Sequence, residues 1–357
     1  MFQYNILELN TAVKPWAIEY LFTQGHKNVI YVDLDIYFYG RMVEVEQLLS
    51  ADTDIVLTPH LLAPFADDKQ PRELDIRRAG AYNFGFCALR DSPNTRNFIS
   101  WWQSKLTRDC VNDADRGLFV DQSWIDLVPG LFDNVGILRH KGYNVAYWNI
   151  AQRPLTKRSE GKYFIDQVPL IFFHFSGLNP SDAAAFSKHQ ERFTLSTVGP
   201  AEELVDGYVK ALMANGYASF GKLEYGFGNF SNGEKIPDIF RKLYRDSSAL
   251  RERMGPQPFG CFSAICGLWP EIAIDGKSPS NAMVALWNAR HDVRAEFPLT
   301  TSDSIMGYYR WFVVFPPGAQ HFSANVIAHH ASVVKGFDAQ LKAQAATSAK
   351  VKVLDQN

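Results

Sequence analysis

Residues 28–32, Asn-Val-Ile-Tyr-Val, form a β-branched and aromatic run that is too short for a helix and stops abruptly at Asp33-Leu34-Asp35. A continuous apolar run bounded in this way predicts a fully buried strand of a parallel sheet. Ahead of it Val13, Trp16, Ala17, Tyr20 and Leu21 fall at helical spacing, which predicts a helix from Thr11 to Gln24 with Thr11 as N-cap and Gly25 as stop. Further strands are expected at residues 54–58, 82–89, 135–138, 143–148 and 169–175, and helices at 93–109 and 120–128. Such alternation is the pattern of an α/β domain.

From about residue 191 the character changes, with amphipathic helical segments at 201–214, 236–244, 281–290 and 303–314 and few convincing strands. The expected organisation is an α/β domain over residues 1–190, a mainly helical accessory region over 191–340, and a tail over 341–357 whose Ala, Lys, Ser and Gln content predicts fraying. With 357 residues, 46% of them hydrophobic, the chain can bury a core large enough for two domains.

Charge narrows the partners. The 36 basic and 38 acidic residues are spread along the whole length, and no basic run exists that could track a phosphate backbone, so nucleic acid is not an expected partner. No apolar stretch reaches the roughly 20 residues that span a bilayer, and Met1 is followed by no export signal. Cys87, Cys110, Cys261 and Cys266 match neither a metal knuckle nor a disulfide framework. These features predict a cytoplasmic protein with reduced thiols and no transmembrane segment, and they leave peripheral membrane attachment open.

The chemistry is expected where strands end, since ligands of open α/β sheets bind at the carboxyl ends of the strands. Asp33 and Asp35 place two carboxylates two residues apart at such an end. Hard divalent cations need several oxygen ligands, which two carboxylates and a substrate's phosphates together supply. A solvated acidic turn gives the same pattern. His174, in Phe172-Phe-His-Phe-Ser-Gly177, closes another apolar run, where imidazole is either a core residue or a ligand for an ion such as Mn²⁺. Gly177 behind it permits close backbone approach to a ligand.

Six runs occur in a fixed order: Thr11-Ala-Val-Lys-Pro-Trp16, Val29-Ile-Tyr-Val-Asp-Leu-Asp-Ile36, Tyr82-Asn-Phe-Gly-Phe86, Val120-Asp-Gln122, Tyr143-Asn-Val-Ala-Tyr-Trp-Asn149 and Phe172-Phe-His-Phe-Ser-Gly177. Over about residues 5–190 they resemble bacterial GT-A glycosyltransferases related to glycosyltransferase family eight. The resemblance implies a GT-A-like domain with a mixed, mainly parallel sheet flanked by helices. It also implies transfer of a sugar from a nucleotide-diphosphate donor to an acceptor that is a glycan, a lipid-linked molecule or a protein.

By the same resemblance Asp33, Asp35 and His174 hold Mn²⁺ or Mg²⁺ on the donor pyrophosphate. Lys14, Asn83 and Gly85 fall at donor contacts, as do Asp33 and Gly177, and Asp121 and Gln122 lie beside the reacting sugar as catalytic residues. Each has a plainer reading: a solvated lysine, a turn asparagine, a helix N-terminal acid. The family's members carry a strand-helix segment before the counterpart of Thr11, so the resemblance implies an incomplete amino-terminal side with an unpaired sheet edge. A sugar-binding or partner-binding remnant with impaired catalysis is the alternative. A haloacid-dehalogenase-type phosphatase is disfavoured, because Ile-Tyr-Phe follows Asp35 where such enzymes place a small residue and Thr or Ser.

Overall fold

The computed structural model describes residues 1–113, 116–182, 185–314 and 321–354, with side chains up to residue 340. The chain divides into two compact units, Leu7–Leu223 and a second formed by Met1–Ile6 with Glu224–Asn357. The boundary therefore lies at residue 223 and not 190. Residues 191–223 belong with the first unit because Leu204, Val205 and Tyr208 pack into a cluster with Phe173, Phe175 and Phe186.

In the first unit the main helices are α1 (Ile6–Ala12), α2 (Lys14–Thr23), α3 (Val43–Ser50), α4 (Glu73–Ala79), α5 (Pro93–Leu106), α6 (Gln122–Ile125), α7 (Val128–Leu131) and α8 (Ala201–Ala214). The strands that matter for the site are β1 (Asn28–Val32), β2 (Ile36–Phe38), β3 (Ile55–Pro59), β4 (Tyr82–Arg90), β5 (Val111–Asp113), β6 (Leu118–Val120), β7 (Val135–Ile137) and β8 (Val145–Ala146). Small strands β9 (Leu155–Lys157), β10 (Tyr163–Ile165) and β11 (Val168–Pro169) form a separate three-stranded sheet, and β12 (Phe172–His174) closes the set.

The main sheet has the order β1-β4-β3-β7. This corrects the expectation of a mainly parallel sheet: β1 and β3 each pair antiparallel with β4, and only β3 with β7 is parallel. β1 and β3 do run in the same direction, as a strand-helix-strand unit requires, but β4 lies between them. β4 is buried along its interior, and Phe86 and Ala88 meet Val45 and Leu49 of α3 and Phe172 of β12. α5 begins with Ser92 as N-cap, its hydroxyl accepting from the Thr95 amide at 3.1 Å, and buries Trp102 edge-on against Phe84.

A second correction concerns the amino-terminal helix. Thr11 lies inside α1, where its hydroxyl donates back to the Leu7 and Glu8 carbonyls, so it caps nothing. The apolar stripe Val13, Trp16, Ala17, Tyr20 and Leu21 is the exposed face of α2, with Tyr20 62% exposed, while Lys14, Ile18 and Phe22 are buried. β1 is an edge strand among the described residues, and Ile30 is exposed beside that face.

The second unit is mainly helical, with helices Asp238–Asp246, Ser248–Met254, Asn281–Ala289, Ser302–Val314 and Ala324–Leu354. Its core gathers Phe240, Leu286, Tyr308 and Phe312, and Phe2 sits within it. Arg241 is buried there and donates to the carbonyls of Phe2, Tyr4 and Phe227. The expected frayed tail falls on residues whose side chains lie outside the described set, and the backbone continues as helix to Leu354. None of the four cysteines forms a disulfide. Among the described residues no helix is long and apolar enough to cross a membrane.

Candidate active site

β1 ends because the chain turns. The Asp33 amide donates to the Gly85 carbonyl at 2.7 Å, and the Ile36 amide donates back to the Asp33 carbonyl at 3.2 Å. Leu34 at the apex is 97% exposed, and the carboxylates on either side of it turn inward. β2 then pairs antiparallel with β12, which sets His174 opposite Ile36, and the Phe175 amide donates to the Asp35 carbonyl at 2.8 Å. This pairing carries His174 to the carboxylates. Its Nε2 lies 3.0 Å from Asp35 Oδ1, and one ligand atom from each of Asp33, Asp35 and His174 lies within 4.8 Å of the others.

Gly85 makes the space. A Cβ at that position would stand 2.5 Å from His174 Cε1, 2.8 Å from Asp33 Oδ2 and 2.9 Å from Asn83 Oδ1. Two carboxylates and an imidazole around such a gap form a hard, mixed oxygen and nitrogen donor set that suits a divalent cation. Burial opposes ionisation of Asp35, but the hydrogen bond and charge of His174 outweigh it and hold the carboxyl below its ordinary value.

Behind this cluster sits a buried ion network. Pro15 near the start of α2 places Lys14 at the first turn, pointing inward, with its side chain 4% exposed. Its Nζ lies 3.0 Å from Asp121 Oδ2 and 3.3 Å from Asp33 Oδ1, donates to the Phe84 carbonyl at 3.2 Å, and stands 4.6 Å over the Tyr31 ring. The Tyr31 hydroxyl donates to Asp33 Oδ1 at 2.6 Å. Burial opposes the charge on Lys14, but Asp121 and Asp33 outweigh it and keep the ammonium charged beyond its usual range. Burial pushes the Asp121 carboxyl up, against the pull of Lys14.

Asn83 and Gln122 are also brought here. The Gln122 amide accepts from the Phe84 amide at 2.9 Å and donates to the Ala79 carbonyl at 2.6 Å, and Asn83 Nδ2 donates to Gln122 Oε1 at 3.3 Å. Lys14, Asp33, Asp35, Asn83, Asp121, Gln122 and His174 thus line one cavity of about 430 Å³. Gly177 does not line it. Its φ of +72° and the approach of His189 and Ser187 to within 2.4 and 2.6 Å of a would-be Cβ explain the glycine structurally.

Several cavity residues carried no role in the sequence reading. His60 is fully enclosed, its Nε2 3.2 Å from Asn83 Nδ2 and its ring edge-on to Trp148, and burial pushes it down to about 3. Tyr147, Trp148 and His189 form an aromatic wall, with Trp148 also edge-on to His174. Tyr147 and Trp148 lie in one of the six runs that carry the family resemblance, which gave these rings no role.

No known family's sequence profile matches the chain. It is 27% identical over 169 residues to the uncharacterized protein YfnF of Bacillus subtilis (strain 168), covering 45% of this chain and 55% of that protein. It is 30% identical over 150 residues to the uncharacterized protein YfnD of the same organism, covering 41% of this chain and 45% of that protein. The chain spans about half the length of these curated relatives. Among solved structures it is similar to a glycosyltransferase involved in the glycosylation of the major capsid of PBCV-1, with 11% identity and a TM-score of 0.32 over 47% of this chain and 70% of that one; a likeness at that level carries no structural argument.

Proposed function

We propose that the first unit is a metal-dependent glycosyltransferase with a GT-A-like arrangement, related to family eight, that takes a sugar from a nucleotide-diphosphate donor. The observation that carries this reading is the convergence of Asp33, Asp35 and His174 in the lining of a cavity that also offers Lys14, Asp121, Asn83 and Gln122. A carboxylate-lined cation site suits a diphosphate. The Asp121 carboxylate suits a sugar hydroxyl as an acceptor, and the Gln122 amide nitrogen suits one as a donor.

Asp33, Asp35 and His174 would hold Mn²⁺ or Mg²⁺. When bound, the cation supplies neutralisation of the charge that develops on the nucleoside diphosphate leaving group. The chain's own residues do the rest. Lys14 fixes Asp33 and Asp121 relative to one another through its two ion pairs. Gln122, tied to the backbone at Phe84 and Ala79, orients Asn83 toward the cavity. Asp121 would bind a sugar hydroxyl or receive the acceptor's proton.

Calorimetric titration with a panel of nucleotide sugars, with Mn²⁺ and with excess chelator, tests the reading, followed by transfer or donor hydrolysis. Binding and turnover are expected only with the cation, and Asp35→Asn should remove both. Undiminished turnover in excess chelator, or no donor bound in saturating Mn²⁺, would sink it.

A further inference from the structure

A chain of buried amide side chains runs from two backbone amides of β4 to His174, and its polarity can be read link by link. A backbone N–H only donates, so the group it meets is an oxygen. The Phe84 amide therefore fixes Gln122 Oε1, at 2.9 Å, and the Gly85 amide fixes Asn83 Oδ1, at 3.1 Å. Asn83 Nδ2 then faces Gln122 Oε1 and His60 Nε2.

Asn83 Oδ1 also accepts from Asn144 Nδ2 at 2.9 Å, and the same nitrogen donates to Thr58 Oγ1 at 2.9 Å. With its nitrogen committed, Asn144 turns Oδ1 to His174 Nδ1, at 3.2 Å. An amide oxygen cannot donate, so Nδ1 must carry the hydrogen. Asn144 is itself fixed: its φ of +52° is left-handed, a conformation asparagine tolerates, and its carbonyl accepts from Asn149 Nδ2 at 2.9 Å.

We propose that Asn144 is a positioning residue whose amide oxygen accepts a hydrogen bond from Nδ1–H of His174 and so aims Nε2, 3.0 Å from Asp35 Oδ1, at the cation site. Metal-ligating histidines usually give their second ring N–H to such a partner, which fixes the tautomer and the ring orientation. The metal part of this assignment rests on the cation reading above; the tautomer does not.

Two measurements separate these. Mn²⁺ uptake, followed by electron paramagnetic resonance of the free ion, is compared for the wild type, Asn144→Gly and Asn144→Asp. Glycine keeps the left-handed backbone and removes the acceptor, so affinity should fall by about 10- to 100-fold. Asp keeps an acceptor and should restore most of it. Equal affinity in wild type and Asn144→Gly overturns the proposal, as does an equal loss in both variants, which marks a merely structural role.

If the wild type takes up no Mn²⁺, the cation reading falls, and the second measurement still decides Asn144. Long-range ¹H–¹⁵N correlation of the metal-free protein should show His174 carrying a hydrogen on Nδ1. A ring protonated on Nε2 alone overturns the assignment.

Discussion

Lys14 Nζ and Asp121 Oδ2 stand 3.0 Å apart with their side chains only 4% and 2% exposed, so each charge depends on the other. Removing one partner of a buried pair strands the other, which costs about 3–5 kcal/mol. Lys14→Met should therefore destabilise the first unit by that order, read as a lower urea midpoint with an unchanged slope. Lys14→Met combined with Asp121→Asn should recover most of the loss, because the stranded charge is gone. A double variant no more stable than Lys14→Met would show that the cost lies elsewhere.

Gly85 leaves no room for a methyl group. With His174, Asp33 and Asn83 atoms all under 3.0 Å from a built Cβ, Gly85→Ala must push apart the groups that form the candidate cation site. Overpacking of this kind costs about 1–3 kcal/mol, and Mn²⁺ affinity should drop more than tenfold. Calorimetric Mn²⁺ titration of the variant checks this, and wild-type affinity would contradict it.

Cation binding should also register as stability. A ligand at 100 times its dissociation constant stabilises the native state by about 2.7 kcal/mol. Mn²⁺ should raise the melting temperature of the wild type, excess chelator should reverse the rise, and Asp35→Asn or His174→Gln should abolish it. An equal rise in these variants would place the bound ion somewhere else.

His60 makes stability depend on acid. Burial holds its imidazole down to about 3 against an ordinary value of 6.5, so the fold prefers the neutral ring and the unfolded chain takes up the proton first. The contribution is complete above about pH 6.5 and is lost as pH falls toward about 3, at up to about 1.4 kcal/mol per pH unit. Denaturant unfolding of wild type and His60→Gln at a series of pH values should show the variant with the shallower acid limb. Parallel limbs would contradict the assignment to His60.

The acidic turn was legible because its signal is local: an apolar run stops and two acids follow. The positions of the main-sheet strands were largely legible for the same reason, but the antiparallel direction of β4 was not. Neighbour order was not, since nothing in residues 28–59 announces that β4, some 25 residues later, will enter between β1 and β3. The α2 stripe shows the limit of periodicity, which reveals that one face is apolar and not which face is covered. His60 and Asn144 were missed as functional residues because their partners lie 23 to 86 residues away, and a buried amide network has no spacing rule.

β1 has a consequence for handling. Its five residues contain no charge, no proline and no bulge, the devices that keep free edges apart, and Ile30 among them is exposed. Concentration is therefore a variable of the protein's solution behaviour. Where the β1 edge is left unpaired, rising concentration is expected to join sheets through main-chain hydrogen bonds into soluble aggregates, which light scattering would register. A single lysine at the edge, Ile30→Lys, is the smallest change that would keep the chains in solution as separate particles.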